Sequence, residues 1–328
     1  MRKKVLSVIL AMGMLCMTAC GSEKQSVSST TKQSVSETEA KAEDVSKKTE
    51  EPEVTQSEKY MKFLDREEVL YLGEWCDKLG GELSPDKGYY LDDIVHSFLE
   101  DGKYPMMEKE PVINYAYLDC GNDGVEEFAV QFTGMGIYNQ GDDSTLVFII
   151  KEKDDKLELC YCYETWARSE TKTNQYGYVY SGGSNGATNH GVDYGYIDAT
   201  GTWNFIYYTE EELEIRQLTY PKKLAKIWKV AKKKKYQGAI IFVTTFFEEY
   251  SEKEPDREAF YSYFVDGVEG DVYSEGIYKE IFEEAGVKVY LWDEIEQMIQ
   301  DRKDALSITE EIENAPELEW KHYQKSIW

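Results

Sequence analysis

The densest group of chemically capable side chains is Asp119-Cys120-Gly121-Asn122-Asp123-Gly124-Val125-Glu126-Glu127. A hard cation takes oxygen ligands that converge from a tight loop, which requires closely spaced acids and a glycine at the bend. Asp119, Asn122, Asp123 and Glu127 offer side-chain oxygens at such a spacing, and Val125 offers a carbonyl. Calcium is the cation these five residues would suit. The plainer alternative is an Asn-Asp-Gly turn whose acids face water.

Aromatic residues form the second grouping. Tyr176, Tyr178 and Tyr180 share a strand parity, as do Tyr194 and Tyr196. Rings aligned on an exposed sheet face would make a platform for sugars or peptides. Trp203, Phe205 and Tyr207 share a parity too, and are expected to fill a core. The stretch Ser181 to Gly191 is rich in glycine but lacks Gly-Lys-Ser/Thr, so it reads as a hairpin loop and not a phosphate cradle. Asp266 to Asp271 reads as a surface loop.

Lys222, Lys223, Lys226, Lys229 and Lys232 to Lys235 place eight cations on and around one amphipathic helix. They read as a solvated face, or as a contact for anionic lipid heads or wall polymers. For catalysis the chain offers abundant carboxylates and little else. No Gly-x-Ser-x-Gly elbow occurs, and three scattered histidines without a Cys-x-x-Cys argue against zinc. Paired acids could hydrolyse glycans, but any acidic protein contains such pairs.

The first twenty residues supply an address. Arg2, Lys3 and Lys4 precede an apolar run from Val5 to Met17, which spans only ~20 Å as a helix and suits an export signal better than a membrane span. Met17-Thr18-Ala19-Cys20-Gly21 resembles the lipobox of bacterial lipoproteins, with Met17 where the family usually has Leu. The resemblance implies removal of residues 1–19 as a lipoprotein signal peptide and acylation of Cys20 with palmitate. The Asp119 to Glu127 loop is similar to the Asp/Gly calcium loops of FG-GAP repeat proteins. Val130 stands where an EF-hand has its bidentate Glu, so it is no EF-hand.

Residues 20–58 then carry Ser, Thr, Glu and Lys with no aromatic residue before Tyr60, and are expected to be a disordered linker. As a coil it would reach roughly 35 Å, a leash for a domain over 59–328. The chain carries a net charge of −26, and losing three basic residues with the leader makes it −29. Such a balance repels nucleic acid. After acylation of Cys20 the thiols of Cys76, Cys120, Cys160 and Cys162 remain, as buried free thiols or as disulfides. Strand alternation puts Cys160 and Cys162 on one face.

Helical spacing runs from Tyr60 toward Leu79, stopped at Gly80-Gly81, and again from Leu91 to Phe98, stopped at Asp101-Gly102. Seven short strands are expected near 112–119, 126–133, 145–151, 157–166, 173–180, 192–198 and 202–208, with a turn at Asp198 to Gly201. Leu146 to Ile150 is apolar on both parities and reads as a central strand. Past residue 215, where a sub-boundary could fall, helices alternate with strands at 239–247 and 260–265. The expected fold is therefore α+β, an antiparallel meander with helices before and after it.

The expected role is a lipid-anchored protein on the outer face of the cell membrane, similar to surface lipoproteins of low-GC Gram-positive bacteria. It would be a non-catalytic module binding a glycan, a wall polymer or a protein partner, with calcium in a structural role. The alternative is a carboxylate-based hydrolase acting on extracellular glycans.

Overall fold

A computed structural model describes residues 57–325, apart from 80–82, 101–103, 105, 108, 138, 140, 252–255 and 269. The leader, Cys20, all but the end of the linker, and the Gly80-Gly81 and Asp101-Gly102 stops lie outside the described residues.

Ser57 accepts from the Lys59 amide at 3.2 Å and caps α1 (Glu58–Leu64), which buries Tyr60, Phe63 and Leu64. The helix expected to run on to Leu79 ends here. Arg66 takes a φ of +64°, and Tyr323 donates its hydroxyl to the Leu64 carbonyl and to Asp65 Oδ1, both at 2.8 Å. A tertiary tie thus overrides helical periodicity. Leu70–Tyr71 becomes β1, Cys76–Leu79 forms α2 after a short 3-10 turn, and Gly88–Tyr89 forms β2. Helix α3 (Leu91–Glu100) buries Leu91, Ile94, Val95 and Phe98, as their spacing predicts.

Ten more strands follow, then a short last one. They are β3 (Val112–Leu118), β4 (Glu127–Thr133), β5 (Thr145–Lys153), β6 (Lys156–Thr165), β7 (Ser169–Thr173), β8 (Tyr178–Ser184), β9 (Asn189–Ile197) and β10 (Trp203–Glu212). Helix α4 (Ala225–Lys234) precedes β11 (Ala239–Phe246) and β12 (Ala259–Asp266). Helices α5 (Ile277–Ala285), α6 (Trp292–Ala305) and α7 (Glu310–Glu313) lead to β13 (Lys321–His322). The class is α+β, as expected. No helix among the described residues is long and apolar enough to cross a membrane.

The strands build two sheets where a single meander was expected. The first has seven strands in the order β13-β3-β4-β5-β6-β1-β2, and the second six in the order β12-β11-β10-β9-β8-β7. All pairings are antiparallel except β1 with β6. The segment expected as one strand over 173–180 is the end of β7, a turn and the start of β8. On either side of residue 215, β10 and β11 are neighbours in one sheet.

Strand β5 is central and buried on both faces, as its double parity predicts. Leu146, Phe148 and Ile150 pack with Phe63, Leu91 and Phe98 from the helices. Val147 and Ile149 face the other way, with Ala129, Cys160, and Val179 and Ile197 of the second sheet. Each large apolar side chain so buried contributes about 1.5–3 kcal/mol before entropy is counted. At the far end of the second sheet, Phe242, Tyr261 and Tyr263 pack under α4 and α5.

Two β-bulges correct the parity readings. Between β5 and β6, Ile149 pairs with Tyr161 but Ile150 pairs with Leu159, leaving Cys160 as the extra residue. Cys160 therefore packs between the sheets while Cys162 packs on the helical side. They do not share a face. A second bulge at Ile206 puts Trp203 and Tyr207 on opposite faces of β10. The four described cysteines are free thiols.

Candidate functional site

The acidic loop closes on itself. Asp119 Oδ1 accepts from the Asp123 amide at 2.8 Å, and its Oδ2 accepts from Gly124 at 3.0 Å. Asp123 Oδ1 accepts from the Val125 amide at 2.9 Å, and Asn122 sits at a φ of +55°. Gly121 must be glycine, because its φ is +87° and a Cβ would lie 2.7 Å from Ala199 in the neighbouring turn. Glu127 does not join the other acids. It is fully buried, accepts from the Cys120 amide at 2.6 Å and forms an ion pair with Lys151.

Burial pushes the Glu127 carboxyl up, with Lys151 opposing. The same loop raises Asp119 by burial, against the pull of its two amide bonds. Among the described residues no three His, Cys, Asp or Glu converge in a way that would hold a metal. The Asp119 and Asp123 carboxylates accept from loop amides, while Glu127 is paired with Lys151.

The tyrosine ladder is brought together but not left open. Tyr178 and Tyr180 on β8 lie across from Tyr196 and Tyr194 on β9, and Tyr176 sits in the turn before β8. Tyr178 and Tyr196 are only 6% and 4% exposed. Ile308 and Ile312, on the segment after α6, close over them, and Tyr207 stacks on Tyr194 at 4.8 Å. Tyr178 and Tyr196 are core, because α6 and α7 fold back across them, while Tyr176, Tyr180 and Tyr194 stay half-buried.

The glycine-rich stretch is also more ordered than a loop. β8 runs on to Ser184 and β9 resumes at Asn189, so only a short turn separates them. After β12, Asp271 accepts from the Tyr273 amide at 2.8 Å.

A cavity lies elsewhere, in the fork where the chain leaves the first sheet for the second. Trp166 and Ser169 make that turn, exchanging backbone bonds of 3.1 and 2.8 Å. A cleft of ≈ 750 Å³ opens beside it, walled by Thr145 and Val147 of β5, Tyr163 and Thr165 of β6, and Ser169 to Thr173 of β7. Leu318 and Trp320 of the C-terminal segment close the far side. A second cavity of ≈ 390 Å³ adjoins it, sharing Tyr163, Trp166, Ser169 and Thr171 and adding Tyr161 and Ser181. These volumes fall in the range of small-ligand sites.

Polar groups line the cleft in fixed positions. Thr145 and Thr165 hydroxyls meet at 2.7 Å, Thr173 donates to the Tyr163 hydroxyl at 3.2 Å, and Thr171 meets Ser181 at 2.9 Å. Lys172 bridges Glu170 at 3.0 Å and Glu317 at 3.1 Å. Asp142 is held by its own loop, accepting from Asn139 and Ser144 amides at 2.8 and 3.1 Å. Burial raises the Tyr163 hydroxyl to about 12. Behind Ser181, burial lifts Asp193 to about 6, with the Ser181 hydroxyl as a partial offset.

No protein-family model, curated protein or solved structure matches this chain.

Proposed function

We propose that the protein is a lipid-anchored module on the outer face of the cell membrane that binds a glycan in the inter-sheet cleft. One observation carries the reading. Two half-buried tryptophans, Trp166 and Trp320, and Tyr163 line a ≈ 750 Å³ cleft whose remaining walls are largely hydroxyls and carboxylates. Sugar rings present apolar CH faces and hydroxyl edges, and this mixture of rings and hydrogen-bonding groups suits both.

Binding is favoured over hydrolysis by how the acids are engaged. A two-carboxylate mechanism needs one acid and one base on either side of the bond. Here Glu170 and Glu317 share Lys172 and Asp142 is tied to amides of its own loop, which leaves Asp143 as the one other carboxylate among the described residues of the cleft. The anchor is supported by the Cys20 lipobox, and it would hold the cleft among wall glycans.

The test is a screen of wall fragments and glycans against the full chain carrying Cys20→Ala. Retention of a glycan by this protein, and its loss in Trp166→Ala, is the expected result. Release of reducing ends from the bound glycan would move the reading to the hydrolase.

A further inference from the structure

We propose that α4 is a docking face for a phospholipid surface with negatively charged headgroups. Helix α4 buries Ile227 and Ala231 against the core shared with α5, and Leu224 just before it is buried as well. The other side of this segment presents Lys222, Lys226, Lys229, Lys232, Lys233 and Lys235 to solvent. Lys233 and Lys234 reach Glu284 and Glu280 of α5 at 3.1 and 2.8 Å, and Lys223 sits 4.8 Å from the Tyr261 ring. Lys222, Lys226, Lys229, Lys232 and Lys235 form no ion pair among the described residues.

That is unusual in a chain with 63 acids and 37 bases, where a lysine placed at random has acidic neighbours in excess. Five lysines of this segment thus carry positive charge that no carboxylate among the described residues pairs. Screening over about 8 Å lets this patch act locally despite the acidic remainder. Tyr220, immediately before the segment, is 81% exposed. An exposed ring beside a lysine stripe is the side-chain pair that settles at a lipid headgroup layer, the ring at the acyl boundary and the ammonium groups on phosphates. Neither cavity includes these residues, so the face suits an extended surface more than a small ligand.

The inference rests on α4 alone and stands with or without lipid on Cys20. The experiment sediments the full-length Cys20→Ala protein with vesicles of phosphatidylglycerol and phosphatidylcholine, or of phosphatidylcholine alone. Binding to the anionic vesicles only, reversed by salt, is expected. Lys226→Gln and Lys229→Gln should each weaken it roughly fivefold, and Tyr220→Ser should weaken it as well. Lys321→Gln on β13 should leave it unchanged, and unchanged melting of each variant shows that folding is not the cause. Equal binding to both vesicle types, no binding, or full retention in the Lys226/Lys229 double variant would overturn the proposal. Binding to a soluble anionic wall polymer without vesicle binding would overturn it in favour of the polymer. None of these results bears on the cleft, so failure here is distinguishable from failure of glycan binding.

Discussion

Trp203 of the second sheet stacks on Tyr161 of the first, with ring centroids 4.0 Å apart and planes within 12°. The contact pins the two sheets where β6 enters the fork, and Tyr161 also walls the smaller cavity. Trp203 can lie this close because Gly195 beneath it has no side chain, and a Cβ there would fall 1.8 Å from the indole. Gly195→Ala should therefore displace the ring and cost about 1–3 kcal/mol, the usual penalty of overpacking. Chemical denaturation measures it, and an unchanged midpoint would show that the seam is not tight.

The pair beneath the acidic loop gives a sharper contrast. Removing Lys151 leaves Glu127 buried and unpaired, which costs about 3–5 kcal/mol. Lys151→Met should lower stability by that amount, and adding Glu127→Gln should recover most of it, since the glutamine still accepts from Cys120. Because Lys151 already supplies the charge, millimolar calcium should leave the wild-type melting temperature unchanged. A calcium-induced rise would show that the loop rearranges around the ion.

Stability should also depend on pH through buried strand carboxyls, where Asp193 and Glu211 act beside Glu127. Burial raises Asp193 from 3.8 to about 6 and Glu211 from 4.5 to about 7. Both are raised on folding, so the folded state holds protons more tightly than the unfolded one across that interval. Their contribution is full below the unfolded values and is lost as pH rises through about 6 and 7. Melting temperature should be higher at pH 5 than at pH 8, and Glu211→Gln should flatten the upper part of the slope. A profile unaffected by that substitution would assign the dependence to other groups.

The anchor has its own measurement. Cells expressing the full chain should incorporate labelled palmitate into it, and Cys20→Ala should abolish the label. Label that persists in the variant contradicts acylation at Cys20.

Helix faces were legible because Leu91, Ile94, Val95 and Phe98 repeat at a period that burial alone explains, and the centre of β5 because Leu146 to Ile150 carries no polar residue. Parity arguments failed at the bulges. One extra residue, Cys160 or Ile206, reverses every side chain beyond it, and nothing in alternation marks its place. Burial of Tyr178 and Tyr196 was hidden for a different reason, since Ile308 and Ile312 pack on them from more than a hundred residues downstream. Distance in sequence also hid the cleft. Trp166 follows β6 and Trp320 lies near the end of the sequence, and only the fold brings both to one cavity with Tyr163. The one local hint was an aromatic residue at a polar turn, Trp166 before Ala167 and Arg168.

The central claim is that this cleft holds a glycan. The most direct measurement is a calorimetric titration of the best wall glycan from the screen into wild-type protein, Trp166→Ala, Trp320→Ala and, as a control, Trp228→Ala beside α5. Loss of a stacking tryptophan from a binding site commonly costs 2 kcal/mol or more, about thirtyfold in Kd. That drop is expected for Trp166→Ala and Trp320→Ala, and wild-type affinity for Trp228→Ala. Equal affinity in all four proteins would place the ligand elsewhere and contradict it.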